Sequence, residues 1–126
     1  MKKSTYFILL FSLLFSFQSY AHSVKTLRVT ASAYNSVRAQ TNHHPSLTAW
    51  GVRLKPGMKA VAISRDLLRK GLKKGSRIKI QGLTGDYVVL DKMHRRWRNK
   101  IDIYMGNNIK AARKWGKRTV TITLLD

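Results

Sequence analysis

Apolar and polar residues alternate one by one in several short segments of this sequence, and this pattern limits the possible folds. In RTVTITLL, Val120, Ile122 and Leu124 alternate with threonines, and KTLRVTASAY and GSRIKIQG alternate in the same way. A period of two residues is typical of a β-strand with one buried face. Together with KAVAIS, GDYVVLD and KIDIYM, these segments predict six short strands.

Two further segments predict short helices. Ser64 precedes RDLLRK and Gly71 follows it, whereas Asn108 precedes IKAARKW and Gly116 follows that segment. Polar caps and a terminal glycine are typical helix boundaries. Six strands and two helical turns in so short a chain predict a mainly β fold, a small six-stranded barrel. Residues 35–57 show no period and predict a long loop of the kind that often binds ligands.

The N-terminus has the three parts of a secretory signal peptide. Lys2 and Lys3 precede an apolar run, and small residues at Ser19 and Ala21 follow it. The alternative is a membrane anchor, but the run falls short of the roughly 20 apolar residues that a span needs. We therefore expect residues 1–21 to be a signal peptide, and residues 22–126 to be one domain with no transmembrane segment.

Composition limits the partners of this chain. It has 25 lysines and arginines, five acidic residues and no cysteine, and its net charge is +20. A basic exported protein is expected to bind peptidoglycan or another anionic polymer of the cell envelope, and no specific nucleic acid. This predicts a periplasmic protein, or one peripheral to the outer membrane or cell wall. His43 and His44 have no third ligand at usable spacing, so we expect no metal and no cofactor.

All five acidic residues are aspartates, and two of them flank a basic loop. Asp91 closes the apolar strand YVVLD, where it is either a reactive carboxyl or a strand-end residue that accepts backbone N–H bonds. Asp102 lies between Ile101 and Ile103 and therefore faces away from them, into a groove or towards an arginine. Asp66 follows a helix start, and we expect it to be structural.

Two segments could bind a glycan. The TAWG turn contains Thr48, Trp50 and Gly51, and Trp50 either stacks on a sugar or covers the end of the barrel. The basic loop of residues 92–100 is either a polyanion-binding strip or a solvated loop. Its candidate binding residues are Arg95, Arg96, Trp97 and Arg98.

The order TASAY, TAWG, AVAISRDLL, GSRIKI, VVLD, NKIDIYMG and AARKWGKRTVTITLL resembles the 3D domain, a family named for three aspartates. The resemblance covers residues 26–125. It extends to the barrel of membrane-bound lytic transglycosylase A, which implies a double-psi β-barrel and a role in peptidoglycan turnover. It also implies that Asp91 takes the place of the catalytic aspartate and Asp102 that of the aspartate in the IDIY motif. Thr48 and Gly51 take the places of a small polar turn that faces the site.

The sequence departs from the family pattern at two places. Ser64 stands where the first family aspartate is expected, with Asp66 two residues later, and KMHRRWR replaces a glycine-rich turn after Asp91.

Three functions follow as hypotheses. The first is an exported enzyme that cleaves O-glycosyl bonds of glycan strands, with Asp91 as the acid and Asp102 as its orienting neighbour. Because nearby cations lower the pKa of a carboxyl group, Asp91 would have to be desolvated and turned away from the arginines of the loop. The second is a non-catalytic module that binds cell-wall glycan. The third, binding to nucleic acid by charge and stacking, is disfavoured by the signal peptide.

Overall fold

The computed structural model describes residues 24–36 and 46–125. The predicted signal peptide, the two adjacent histidines and Asp126 lie outside these residues. The strands are β1 (Thr26–Tyr34), β2 (Ala60–Ile63), β3 (Arg77–Ile80), β4 (Tyr87–Lys92), β5 (Lys100–Tyr104) and β6 (Arg118–Leu124). A 3-10 helix (Arg65–Lys70) follows β2, and helix α1 (Ile109–Trp115) precedes β6.

The six strands form a closed barrel in the order β1-β5-β2-β4-β3-β6. Two pairs are parallel, β1 with β5 and β2 with β4, and the other four pairs are antiparallel. The two parallel pairs meet where β5 runs antiparallel to β2. The architecture is that of a small double-psi β-barrel with two short helices, so the predicted fold is confirmed.

The barrel interior is filled by the apolar residues of the alternating segments. Val29 of β1, Ile78 of β3, Ile101 of β5 and Ile122 of β6 are each fully buried in one core cluster. Full burial of such a side chain stabilises the fold by about 1.5–3 kcal/mol. The polar residues between them face outwards, so the predicted faces of these strands are correct.

Both predicted helices form, although their N-termini differ. Asn108 caps α1 as predicted, because its side chain accepts a hydrogen bond of 2.9 Å from Ala111 N. Ser64 makes no side-chain cap to the 3-10 helix. Its hydroxyl instead accepts a hydrogen bond of 2.9 Å from Lys100 N, so it fastens the start of β5 to the end of β2.

A second, smaller apolar cluster lies on the outer face of the barrel wall. Leu54, Ala60 and Tyr104 are buried there, and the half-buried Tyr34 packs against them. The described part of the irregular loop covers this cluster and is held by an isolated bridge between Leu47 and Arg53. Within residues 24–36 and 46–125, no helix is long and apolar enough to cross a membrane.

Candidate functional site

Four strands align a row of small and acidic side chains across the outer face of the barrel. Ala62 of β2 pairs with Asp91 of β4 on one side and with Asp102 of β5 on the other. Asp102 in turn pairs with Ser32 of β1. Because neighbouring strands lie about 4.8 Å apart, the two aspartates are separated by roughly 10 Å between Cα atoms. The alanine between them leaves the space above the row open.

A β-bulge brings Asp91 to this face. Val61 pairs with Val89, whereas Ala62 pairs with Asp91, so Leu90 is an extra residue in β4. Simple alternation from the buried Val89 would aim Asp91 into the barrel. An extra residue in one strand reverses the direction of the side chains that follow. The bulge therefore places Asp91 beside Ala62 rather than in the apolar core.

Asp91 is half-buried, and one of its oxygens is held by the backbone. Asp91 Oδ1 accepts hydrogen bonds from Ala49 N at 2.8 Å and from Lys92 N at 2.9 Å. Burial raises the pKa of Asp91 above its usual value of 3.8, and these two hydrogen bonds only partly oppose that shift. No arginine of the basic loop contributes to it. The second oxygen, Oδ2, has no hydrogen-bond partner among the described residues.

Asp102 accepts fewer hydrogen bonds than Asp91 within the described residues. Its Oδ1 accepts a hydrogen bond of 3.0 Å from the Ser32 hydroxyl. Burial raises its pKa, the Ser32 hydroxyl and the charge of Lys100 lower it, and the charge of Asp91 raises it further. The net result is a pKa above the usual 3.8. Asp102 forms no salt bridge within the described part of the chain, so the alternative of a simple ion pair is not what the structure shows.

Tyr34 is a site residue that sequence reasoning missed. Its hydroxyl is buried and has no hydrogen-bond partner among residues 24–36 and 46–125. Burial, followed by the charges of Asp91, Asp102 and Tyr104, raises its pKa above the usual 10.0, so it stays protonated. The signal was available in TASAY, because Tyr34 follows Ser32 by two residues and therefore shares its face.

These side chains surround a cavity of about 280 Å³. Its lining includes both aspartates, Tyr34 and Ala62 on the barrel side, and His94 and Trp97 on the loop side. The cavity therefore combines two carboxyl groups, a protonated phenol and an aromatic ring. Such a set can donate a proton to a ligand and can stack on a sugar.

The basic loop is ordered around Trp97. The Lys100 ammonium lies 3.9 Å from the centre of the indole ring, and the Arg96 guanidinium lies 4.9 Å from it. Arg95 and Arg98 do not line the carboxyl cavity and instead line a second one, which Trp97 also borders. The arginines of the loop therefore lie away from the two carboxyl groups.

The TAWG turn contacts Asp91 through its backbone. Thr48 is buried, and its hydroxyl accepts a hydrogen bond of 3.0 Å from Val52 N, so it stabilises the turn. Gly51 adopts a φ of 76°, which favours glycine. Trp50 is half-buried, packs against the core cluster, and has the Lys92 ammonium 6.0 Å from its ring.

No group of three or more potential metal ligands occurs in the described residues. The donors at the site are two aspartates, a tyrosine and a histidine on different elements. Their chemistry is that of proton transfer and hydrogen bonding to a polar ligand.

No protein-family model and no curated protein sequence matches this chain. Solved structures that are similar to it include two of one expansin. The apo expansin of Clavibacter michiganensis matches with a TM-score of 0.55 at 14% identity, over 81% of this chain and 51% of that chain. An aspartate-to-asparagine mutant of that expansin in complex with cellohexaose matches with a TM-score of 0.54 at 15% identity, over the same shares.

The chain spans about half the length of these expansins. At this level of identity the likeness shows that the barrel fold is shared. It does not extend to a family, so the resemblance to the 3D domain stays a prediction.

Proposed function

We propose that this protein acts on cell-wall glycan strands and cleaves their O-glycosyl bonds in the cavity that contains Asp91 and Asp102. The observation that carries this proposal is the pair of half-buried carboxyl groups on either side of Ala62, both with raised pKa values. A general acid that works near neutral pH needs such a shift. Arg95 and Arg98 do not line the carboxyl cavity, and no arginine is among the causes of either pKa shift, which supports the desolvated acid that this function needs.

The contacts favour Asp102 as the acid and Asp91 as its charged neighbour. Asp91 accepts two backbone N–H bonds, and such bonds favour the carboxylate form. Asp102 accepts one bond from a hydroxyl and is opposed by the charge of Asp91. The charge of Asp91 raises the pKa of Asp102, so we infer that the better-stabilised Asp91 ionises first. This assignment reverses the roles that the sequence suggested for these two residues.

In the proposed reaction, Asp102 gives its proton to the glycosidic oxygen as the bond from that oxygen to the anomeric carbon breaks. The 6-hydroxyl of the same sugar then attacks the anomeric carbon, and the Asp102 carboxylate accepts the hydroxyl proton. The step consumes no water and restores the acid. The Asp91 carboxylate is placed to stabilise positive charge on the sugar ring, and the protonated Tyr34 can donate a hydrogen bond to a substrate oxygen.

A second candidate is a module that binds the glycan without cleaving it. The likeness to an expansin that was solved with cellohexaose supports this reading through the fold. The stacked cations around Trp97 also suit a surface that grips an anionic polymer. In this case Asp91 and Asp102 would accept hydrogen bonds from sugar hydroxyls.

Both candidates act outside the cytoplasm. We propose that residues 1–21 are removed during export and that the protein lies in the periplasm or at the periphery of the outer membrane or wall. Mass spectrometry of the protein from its native host would test this. An intact Met1 on a cytoplasmic protein would contradict it.

Purified protein incubated with peptidoglycan tests the enzymatic proposal. We expect soluble fragments with anhydro-sugar ends from the wild type. Asp102→Asn keeps the side-chain shape but removes proton transfer, and should lower the rate by about 10²–10⁴-fold. Asp91→Asn should lower it less, because Asp91 does not transfer the proton.

Asp86→Asn is the matched control, since Asp86 pairs with Lys79 on the surface away from the cavity. It should leave fragment release unchanged. If the wild type releases no fragments at any pH but still sediments with peptidoglycan, cleavage is refuted and the binding module stands.

A further inference from the structure

Four arginines surround a second cavity next to the carboxyl site. This cavity has a volume of about 320 Å³ and is lined by Arg65, Asp66, Arg69, Arg95, Trp97 and Arg98. Two of the arginines come from the 3-10 helix and two from the loop between β4 and β5. Residues distant in the sequence therefore form a single concentration of positive charge, which we call the arginine cavity.

The positive charge of the arginine cavity is only partly neutralised within the described residues, since four arginines face one carboxylate. None of the four guanidinium groups forms a salt bridge there. Arg65 donates to the Met93 carbonyl, a neutral group, at 3.1 Å. The single acid of the cavity, Asp66, uses Oδ2 to accept a hydrogen bond of 2.9 Å from Asn99 N. The remaining excess of positive charge attracts and concentrates anions.

The loop that contributes Arg95 and Arg98 is fastened to the barrel, so the cavity is a built feature. Asn99 is bound to Asp66, and Lys100 N is bound to the Ser64 hydroxyl. Within the loop, Trp97 N donates to the His94 carbonyl at 3.0 Å. These bonds hold the loop arginines opposite those of the 3-10 helix, at a free-energy cost of repulsion between like charges.

We propose that the arginine cavity binds the phosphoryl group of a phosphorylated sugar. The planar fork of a guanidinium matches phosphate oxygens in a two-bond geometry. Four such forks suit a phosphate dianion with three acceptor oxygens better than a carboxylate, which has two oxygens and one charge. The size of the cavity is sufficient for a phosphate group with part of a sugar.

Trp97 connects the arginine cavity to the carboxyl cavity and so defines how a longer ligand would lie. The residue borders both the arginine cavity and the carboxyl cavity, so a single chain of sugars can run past it from one cavity to the other. A phosphorylated sugar would occupy the arginine side, and the next sugars would lie over Asp91 and Asp102. The position of the phosphate would then set which glycosidic bond reaches the carboxyl groups. This part rests on the proposed function, whereas phosphate binding itself does not.

Titration calorimetry and amide chemical shifts test the inference, with N-acetylglucosamine 1-phosphate, N-acetylglucosamine and inorganic phosphate as probes. We expect the sugar phosphate to bind about tenfold or more tightly than the neutral sugar, as charge-assisted hydrogen bonds would give. The amides of Arg98 and Asn99 should shift on binding. Inorganic phosphate should shift the same amides with lower affinity, because it does not reach Trp97.

Variants separate a built site from the general charge of the protein. Arg69→Gln and Arg98→Gln should each weaken binding of the sugar phosphate by about tenfold. Arg98→Lys keeps the charge but loses the fork, so it should also weaken binding. Arg113→Gln removes an equal charge from the exposed face of α1, away from both cavities, and should leave binding unchanged. Thermal unfolding of each variant confirms that it is folded.

Equal losses in Arg113→Gln and Arg98→Gln would overturn the proposal, since binding would then depend on diffuse charge. Equal affinity for inorganic phosphate and the sugar phosphate would refute the part of the proposal in which the sugar lies beside Trp97. Release of wall fragments is measured separately on unphosphorylated glycan. A failure of cleavage with intact sugar-phosphate binding would refute the proposed enzyme and leave the arginine cavity in place.

Discussion

Replacement of Tyr34 by phenylalanine should stabilise the free protein. The Tyr34 hydroxyl is buried without a partner in the described residues, and an unsatisfied buried polar group costs about 1–3 kcal/mol. The ring packs against Tyr104 with centroids 5.4 Å apart, and phenylalanine keeps this contact. Tyr34→Phe therefore removes a desolvation cost without loss of packing or of a hydrogen bond.

Tyr104 provides a control of opposite sign. Its hydroxyl is 2.6 Å from the Ser36 hydroxyl, so Tyr104→Phe breaks a hydrogen bond and should destabilise the protein by about 0.5–1.5 kcal/mol. For a domain of this size, 1 kcal/mol changes the melting temperature by about 4–8 °C. Thermal unfolding at pH 7 should thus show a higher melting temperature for Tyr34→Phe and a lower one for Tyr104→Phe.

The same Tyr34 variant should bind or cleave glycan less well than the wild type, because it lacks the protonated hydroxyl of a residue that lines the cavity. A gain of stability with a loss of function is expected of a group that is kept for a ligand. If Tyr34→Phe is destabilised as much as Tyr104→Phe, the hydroxyl has a partner in the free protein. The Tyr34 hydroxyl would then not be a group that is kept free for a ligand.

Three further predictions concern charge. The pKa values of Asp91 and Asp102 are raised in the folded state, so folding favours the protonated form of both carboxyl groups. Their contribution to the free energy of unfolding is therefore full below the unfolded pKa of 3.8 and is lost as pH rises through the folded pKa values. Denaturant unfolding should show this decline, and Asp102→Asn should reduce it. Asp66→Ala should speed hydrogen exchange at the Asn99 amide, whereas unchanged exchange would mean that this bond does not hold the loop. Co-sedimentation with peptidoglycan should weaken steeply as the salt concentration rises, because charges are screened beyond about 8 Å at physiological ionic strength. Binding that is unaffected by high salt would contradict electrostatic binding.

The strands and helices could be predicted from the sequence because their signals are local. The alternation around Ile78 and Ile122, and the Asn108 cap, depend on neighbouring residues alone. The polar face that carries Asp102 follows from the same alternation. A small barrel follows from six short strands, but its double-psi topology was predicted only through the resemblance, since pairing between distant strands leaves no local trace.

The positions of the site residues could not be predicted from the alternation of apolar and polar residues. The bulge at Leu90 re-aims Asp91, and nothing in YVVLD distinguishes a bulged strand from a regular one. Tyr34 and Ala62 join the site only because β1, β5, β2 and β4 are adjacent. The sequence predicts the basic loop as a single strip, whereas Arg95 and Arg98 line one cavity and the carboxyl groups line another, with Trp97 bordering both.

The arrangement of two cavities explains how a strongly basic loop can lie next to Asp91 and Asp102 without lowering their pKa values below the usual value. No arginine is among the causes of either pKa shift. Burial acts on Asp91 and Asp102 directly and is the largest cause of both shifts. If the protein acts as proposed, a carboxyl group keeps its proton on one side of Trp97 while the arginines bind an anionic group of the polymer on the other.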